Sequence, residues 1–118
     1  MPRFVVLTHD HPFLHWDFML ENEAALRTWR LLQPPQAGVA CPAEPLPDHR
    51  LAYLNYEGPV SGNRGSVQRW DAGDYLFVQE SAAGIEVRLA GLRLQGMARI
   101  QRNAAGRLEF RYEADPEN

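Results

Sequence analysis

From Ser66 onward the chain is cut at short, regular intervals by Gly and Asn turns, a punctuation that antiparallel sheet accommodates best. Ser66–Trp70, Tyr75–Glu80, Ile85–Leu89, Leu94–Gln101 and Leu108–Glu113 read as short strands. Asp71-Ala72-Gly73, Ala82-Ala83-Gly84, Leu92 beside Gly91, and Asn103-Ala104-Ala105-Gly106 read as the turns between them. Strands at this spacing describe an antiparallel meander, which curls into a small barrel or sandwich. Gly96 inside one of the strands predicts a bulge or a bend.

The first half continues the pattern with longer interruptions. Arg3–Thr8, His15–Leu20 and Ala25–Leu32 read as three strands, the last two joined by the polar turn Glu21-Asn22-Glu23. Between Gln33 and Pro47 stand Pro34, Pro35, Pro42, Pro45 and Pro47, which predict an irregular connection. A connection of that length is a candidate functional loop. Asp48–Tyr56 fits either a short helix or an extended piece. The expected fold is therefore all-β: a small antiparallel β-barrel with long loops and one short helix. Residues 1–113 form a single domain in this reading, and 114–118 a frayed tail.

Composition narrows the function classes. The net charge of −3 argues against broad nucleic-acid binding through a basic surface, though not against recognition of a strand end. All twelve basic residues are arginines, so Schiff-base chemistry is excluded while bidentate phosphate recognition is available. The single cysteine, Cys41, excludes an internal disulfide framework and lies in a Pro-rich loop with no adjacent base. No apolar run is long enough for a membrane span, and the cytoplasm is the expected location.

The chemistry concentrates in His9-Asp10-His11-Pro12-Phe13-Leu14-His15-Trp16-Asp17, which holds all but one of the four histidines. On a strand, His15 and Asp17 leave the same face with Cα atoms roughly 6.5–7 Å apart, while Trp16, Phe18 and Leu20 point into a core. A third donor from His9 or His11 would complete a two-histidine, one-carboxylate set for a divalent transition metal. Hydrogen-bonded structural histidines are the plain alternative. A non-haem iron oxygenase, with His49 as distal ligand, uses the same donor types; a cupin fits the spacing less well.

At this point the sequence resembles the 3′-phosphoesterase domain of bacterial DNA ligase D, in its free-standing form. The likeness runs from about Arg3 to Tyr112. It is carried by Arg3-Phe4-Val5-Val6, His9-Asp10, Leu14-His15-Trp16-Asp17-Phe18 and Leu20-Glu21, then by Trp29, Asp48-His49, Leu51, Tyr53 and Tyr56-Glu57-Gly58. Gly62-Asn63, Gly65, Trp70-Asp71-Ala72-Gly73-Asp74-Tyr75, Leu89, Gly91, Leu94 and Gly96 continue it in order.

The resemblance implies a β-barrel whose open face holds a divalent ion, Mn²⁺ foremost, with Zn²⁺ or another transition metal compatible. It implies His9, His15 and Asp17 as metal ligands, and His49 and Tyr53 as catalytic residues. The implied substrates are DNA or RNA/DNA 3′ ends, from which the family removes a terminal ribonucleoside and then the 3′-phosphate during break repair. A DNA ligase or polymerase, or a Ku-type end-binding protein, would be the partners. Four positions depart from the family pattern: Met19 and Gln33 stand where it has phosphate-gripping arginine and lysine, Leu7 replaces a glutamine, and Pro47 an acidic residue. Losing one charged contact can cost on the order of 2–4 kcal/mol of transition-state stabilisation. The departures therefore imply a weakened enzyme, or a metal-bearing phosphate or nucleic-acid end-binding module with little catalysis. Arg30, Arg50, Arg64 and His11 are candidate replacements for the missing phosphate contacts.

Overall fold

The computed structural model describes residues 1–117 and is almost entirely sheet. Its strands are β1 (Arg3–His9), β2 (His15–Asn22), β3 (Ala25–Leu31), β4 (Cys41–Arg50), β5 (Gly58–Pro59), β6 (Ser66–Ser81), β7 (Gly84–Gly91), β8 (Gln95–Arg102) and β9 (Leu108–Ala114). One 3₁₀ turn, Leu51–Leu54, follows β4 within the stretch left ambiguous by the sequence. The strands run in the spatial order β1-β2-β3-β4-β9-β8-β7-β6-β5, and β6 also pairs with β1, so the sheet closes in a ring. The strand pairings are antiparallel throughout. Among the described residues, no helix is long and apolar enough to cross a membrane.

Side-chain alternation sorts two apolar clusters onto the two faces of this ring. Phe4, Val6, Phe18, Leu20, Trp29, Leu31, Val87, Leu89, Ile100 and Phe110 belong to the larger cluster, which fills the interior. Phe18 is the hub of its aromatic packing, in contact range of Phe4, Trp29 and Phe110. The neighbouring positions Val5, Leu7 and Met19 face outward, where Leu26, Leu54, Val60 and Val67 cover them in a second cluster. The 3₁₀ turn and the segment after it thus serve as a cap on the outer face of β1 and β2.

Three expectations are corrected. Asp71-Ala72-Gly73 is not a turn but the middle of a continuous β6, which pairs with β1 through Asp74 and with β7 from Gly73. The turn-forming groups are used across the sheet instead. The buried Asp71 carboxylate accepts the N–H groups of Leu92, Arg93 and Leu94 at 2.8–3.1 Å, pinning the β7–β8 connection. At Gly73 a Cβ would lie 2.1 Å from the Ala90 carbonyl, so the close strand approach requires glycine.

Second, the proline-rich connection is irregular only as far as Ala40. Pro42, Pro45 and Pro47 lie within β4. β4 pairs with β3 along most of its length but with β9 only at Cys41 and Pro42, so beyond Pro42 it has a free edge where a missing N–H costs no ladder bond.

Third, Gly96 is not a bulge, since it makes no register shift with β7 or β9. It has φ +153° and allows the Glu113 carbonyl to approach where a Cβ would stand 2.1 Å away. At the chain end, Ala114 pairs with Gly96 as the last residue of β9. Asp115 donates its N–H to Gln95 and pairs with Arg88 at 2.9 Å; Asn118 lies outside the described residues.

Candidate metal centre and active-site cavity

The β1–β2 register sets His9 opposite His15 and Leu7 opposite Asp17, all on the outer face. One donor atom from each of His9, His15 and Asp17 lies within 4.8 Å of the others. His15 and Asp17 are buried, and His9 keeps partial exposure. The His9 and His15 rings are 5.0 Å apart, and Asp17 reaches within 3.6 Å of His9 Nδ1 and 3.1 Å of His15 Nε2.

Backbone carbonyls fix how the imidazoles present themselves. His15 Nδ1 donates to the Phe13 carbonyl at 2.8 Å, and His9 Nε2 to the Arg64 carbonyl at 2.8 Å. A carbonyl can only accept, so in the neutral rings the lone pairs sit on His15 Nε2 and His9 Nδ1, both turned toward Asp17. This is how proteins commonly orient metal-binding histidines. His15 Nε2 and Asp17 Oδ1 are buried without a hydrogen-bond partner despite lying 3.1 Å apart. Two buried acceptors facing each other are costly unless something positive lies between them. The residues present therefore fit a divalent cation, and the N,N,O donor set is one that transition metals favour.

Beside this cluster opens a cavity of about 260 Å³, lined by His9, Asp17, His49, Arg50, Tyr53 and Arg64. Leu7, Met19, Val60 and Val67 also line it, and Asp48 stands at its edge with His49. His49 Nδ1 donates to the Pro47 carbonyl at 2.9 Å, leaving Nε2 free. The 3₁₀ turn brings the Tyr53 ring edge-on to His49, centroids 5.9 Å apart. The Arg64 guanidinium is held by Ser61, through Nε to the carbonyl and an Nη to the hydroxyl.

The structure thus gathers His9, Asp17, His49, Tyr53, Arg50 and Arg64 around one cavity, with His15 buried directly behind. Arg30 and His11 do not line it. His11 is exposed, its ring 6.4 Å from that of His9. Arg30 stands opposite Asp17 in the β2–β3 register but leans over Phe13 toward Glu44. His49 is not part of the clustered donor set, which removes it as the distal ligand of an oxygenase-type centre.

Sequence reasoning missed Asp10 as a support. Its carboxylate accepts the Ser66 N–H at 2.8 Å, a bond that holds its pKa below the usual carboxylate range and ties the β1–β2 loop to the segment carrying Arg64. The carbonyls of Phe13 and Arg64 were missed as well, since no residue type signals a backbone acceptor. Cys41 is buried beside β9, and burial pushes its thiol pKa up, consistent with an inert residue.

Comparison with known proteins bears on the same residues. The DNA ligase D 3′-phosphoesterase domain family matches residues 7–102, a span that includes the whole cluster and cavity. The multifunctional non-homologous end joining protein LigD of Pseudomonas aeruginosa is 30% identical over 99 residues, 80% of this chain and 12% of that protein. The multifunctional non-homologous end joining DNA repair protein LigD of Mycobacterium tuberculosis is 31% identical over 102 residues, 79% of this chain and 13% of its own length. The chain thus spans about an eighth of these relatives. With most of its length in register with the family, the chain belongs to the DNA ligase D 3′-phosphoesterase domain family.

Proposed function

We propose that this chain is a divalent-metal-dependent phosphoesterase that trims 3′ ends of DNA, removing a 3′-phosphate or a terminal ribonucleoside during break repair. One observation carries the reading: in a chain of this family, two buried acceptors, His15 Nε2 and Asp17 Oδ1, face each other unpartnered, and Asp17 lines the adjoining cavity. His9 through Nδ1, His15 through Nε2 and Asp17 would hold the ion, with Mn²⁺ the first candidate. Bound there, a divalent ion supplies Lewis acidity toward a phosphoryl oxygen.

The remaining chemistry falls to this chain's own side chains. In hydrolysis of a 3′-phosphate, a water oxygen bonds to phosphorus and releases one of its two protons, the bond from phosphorus to O3′ breaks, and O3′ takes up a proton. His49 would give that proton from Nε2, since Nδ1 is committed to the Pro47 carbonyl. Tyr53 holds the imidazole from its edge, and Arg50 and Arg64 bring positive charge to the cavity wall. The product, a free 3′-OH, is the form a DNA ligase or polymerase requires.

Met19 limits the rate in this reading. It is fully buried in the outer apolar cluster and lines the cavity where the family pattern has a cation. That apolar lining also favours the second reading, an end-binding module with little turnover. Incubating the Mn²⁺-loaded protein with a primer–template bearing a 3′-phosphate or one 3′-ribonucleotide, resolved on a sequencing gel, separates the two. Metal-dependent shortening absent from Asp17→Ala supports the enzyme. Tight binding of the 3′-phosphate end without shortening makes the chain a binding module.

A further inference from the structure

The β1–β2 loop carries a feature that the hydrolytic chemistry leaves unused. Phe13 keeps 49% of its surface exposed, immediately beside the His9/His15/Asp17 cluster. Behind the ring lies Arg30, its guanidinium carbon 5.4 Å from the ring centroid. The β2–β3 register places Arg30 opposite Asp17, on the same face of the sheet. Arg30 does not turn to that carboxylate. Its ion-pair partner is Glu44, opposite it on β4 at 3.9 Å, beyond hydrogen-bond reach. Arg30 Nε is buried without a partner. The guanidinium is held in place while its donors are poorly used.

An exposed aromatic ring backed by arginine is the combination that nucleic-acid-binding proteins use to stack a base and neutralise the adjoining backbone. Its position is indexed to the metal cluster. The Phe13 carbonyl accepts the His15 Nδ1 hydrogen bond, and the Phe13 ring stands edge-on to His15 with centroids 5.7 Å apart. The terminal phosphate would enter the cavity that Asp17 and His49 line, and the Phe13–Arg30 pair stands next to Asp17 just outside that cavity. A strand entering the cavity by its 3′ end would lay its preceding residue over this pair.

We propose that Phe13 and Arg30 form a nucleotide subsite on the 5′ side of the reacting phosphate. The base stacks on the open face of Phe13, and Arg30 binds the preceding phosphodiester. The inference rests on the phosphoesterase reading of the neighbouring cluster and adds to it the source of its preference for polynucleotide ends.

The probe is a short DNA strand ending in 2-aminopurine with a 3′-phosphate, titrated with Mn²⁺-loaded protein. Stacking on Phe13 quenches the fluorescence, and the titration gives Kd. Phe13→Ala and Arg30→Gln are each expected to weaken binding about tenfold, and Phe13→Ala to lose most of the quenching. Phe13→Trp should restore both. Mn²⁺ affinity, measured by calorimetry on each variant, should stay at the wild-type value, which shows that the fold and His15 are intact. Unchanged oligonucleotide affinity and quenching in both variants would overturn the subsite alone, provided wild type binds or cleaves the strand. A wild type that neither binds nor cleaves any 3′-phosphorylated end overturns the subsite together with the function it rests on.

Discussion

The two faces of the β1–β2 hairpin are built from alternate residues of the same few positions, yet they behave as different materials. On the inner face, Phe4, Val6, Phe18 and Leu20 are fully buried in the large apolar cluster. On the outer face, Val5, Leu7 and Met19 start the same way, but the row ends in His9, His15 and Asp17, where His15 Nε2 and Asp17 Oδ1 face each other without partners. The inner face stabilises the fold. The outer face gives up some of that stability to hold polar groups in a geometry useful for binding. A rigid strand pair serves both purposes because a period of two separates them completely.

The largest expected effect lies on the inner face. Phe18→Ala removes a fully buried ring that touches Phe4, Trp29 and Phe110, and should cost about 3–5 kcal/mol in urea unfolding. A loss below about 1 kcal/mol would mean that the interior cluster is not what holds the ring closed.

Met19→Arg works at the boundary between the two materials. It puts a guanidinium at the cavity wall and should raise turnover on 3′-phosphate ends about tenfold, roughly 1.4 kcal/mol. The cost is about 1–3 kcal/mol of stability from disturbing a packed apolar cluster. Single-turnover assays with a parallel denaturation curve read both. An unchanged rate in a folded variant would show that charge at this point is not what limits the reaction.

On the outer face, Asp17→Asn should leave metal-free stability unchanged or raise it by up to about 1 kcal/mol, because it removes a buried carboxylate facing a lone pair. A clear destabilisation in metal-free buffer would instead make the cluster a structural hydrogen-bonding unit.

The smallest effect concerns the Arg27–Glu80 pair, which ties β3 to β6 with two hydrogen bonds of 2.9–3.1 Å. Arg27 holds the Glu80 carboxyl below its usual 4.5. Its contribution is therefore present above that value and lost as pH falls through the lowered one. Glu80→Gln should be less stable than wild type by about 0.5 kcal/mol at pH 7. The difference should close in strongly acidic buffer; one that persists there would assign the effect to packing.

Much of the hairpin was legible because alternation is a local property. Trp16, Phe18 and Leu20 against His15 and Asp17 is a pattern written in adjacent letters. The choice between His9 and His11 was not local: it depends on the register that sets His9 across from His15. The errors elsewhere have the same origin. Asp71-Ala72-Gly73 carries turn residues, but a neighbouring turn uses the carboxylate and a neighbouring strand uses the missing Cβ. Pro45 and Pro47 deny a central strand, yet β4 has a free edge that only the sheet order reveals. The Phe13–Arg30 pair spans two strands and a loop, so neither residue signals the other in sequence.

The central claim is that the outer-face cluster is completed by a cation. Its most direct test is calorimetric titration of the metal-free protein with Mn²⁺, repeated on His15→Ala and Asp17→Asn. The account predicts binding of one ion to wild type, a rise in melting temperature with Mn²⁺ concentration, and loss of both in each variant. Wild type that binds no Mn²⁺ or Zn²⁺, or variants that bind with unchanged affinity, would contradict it.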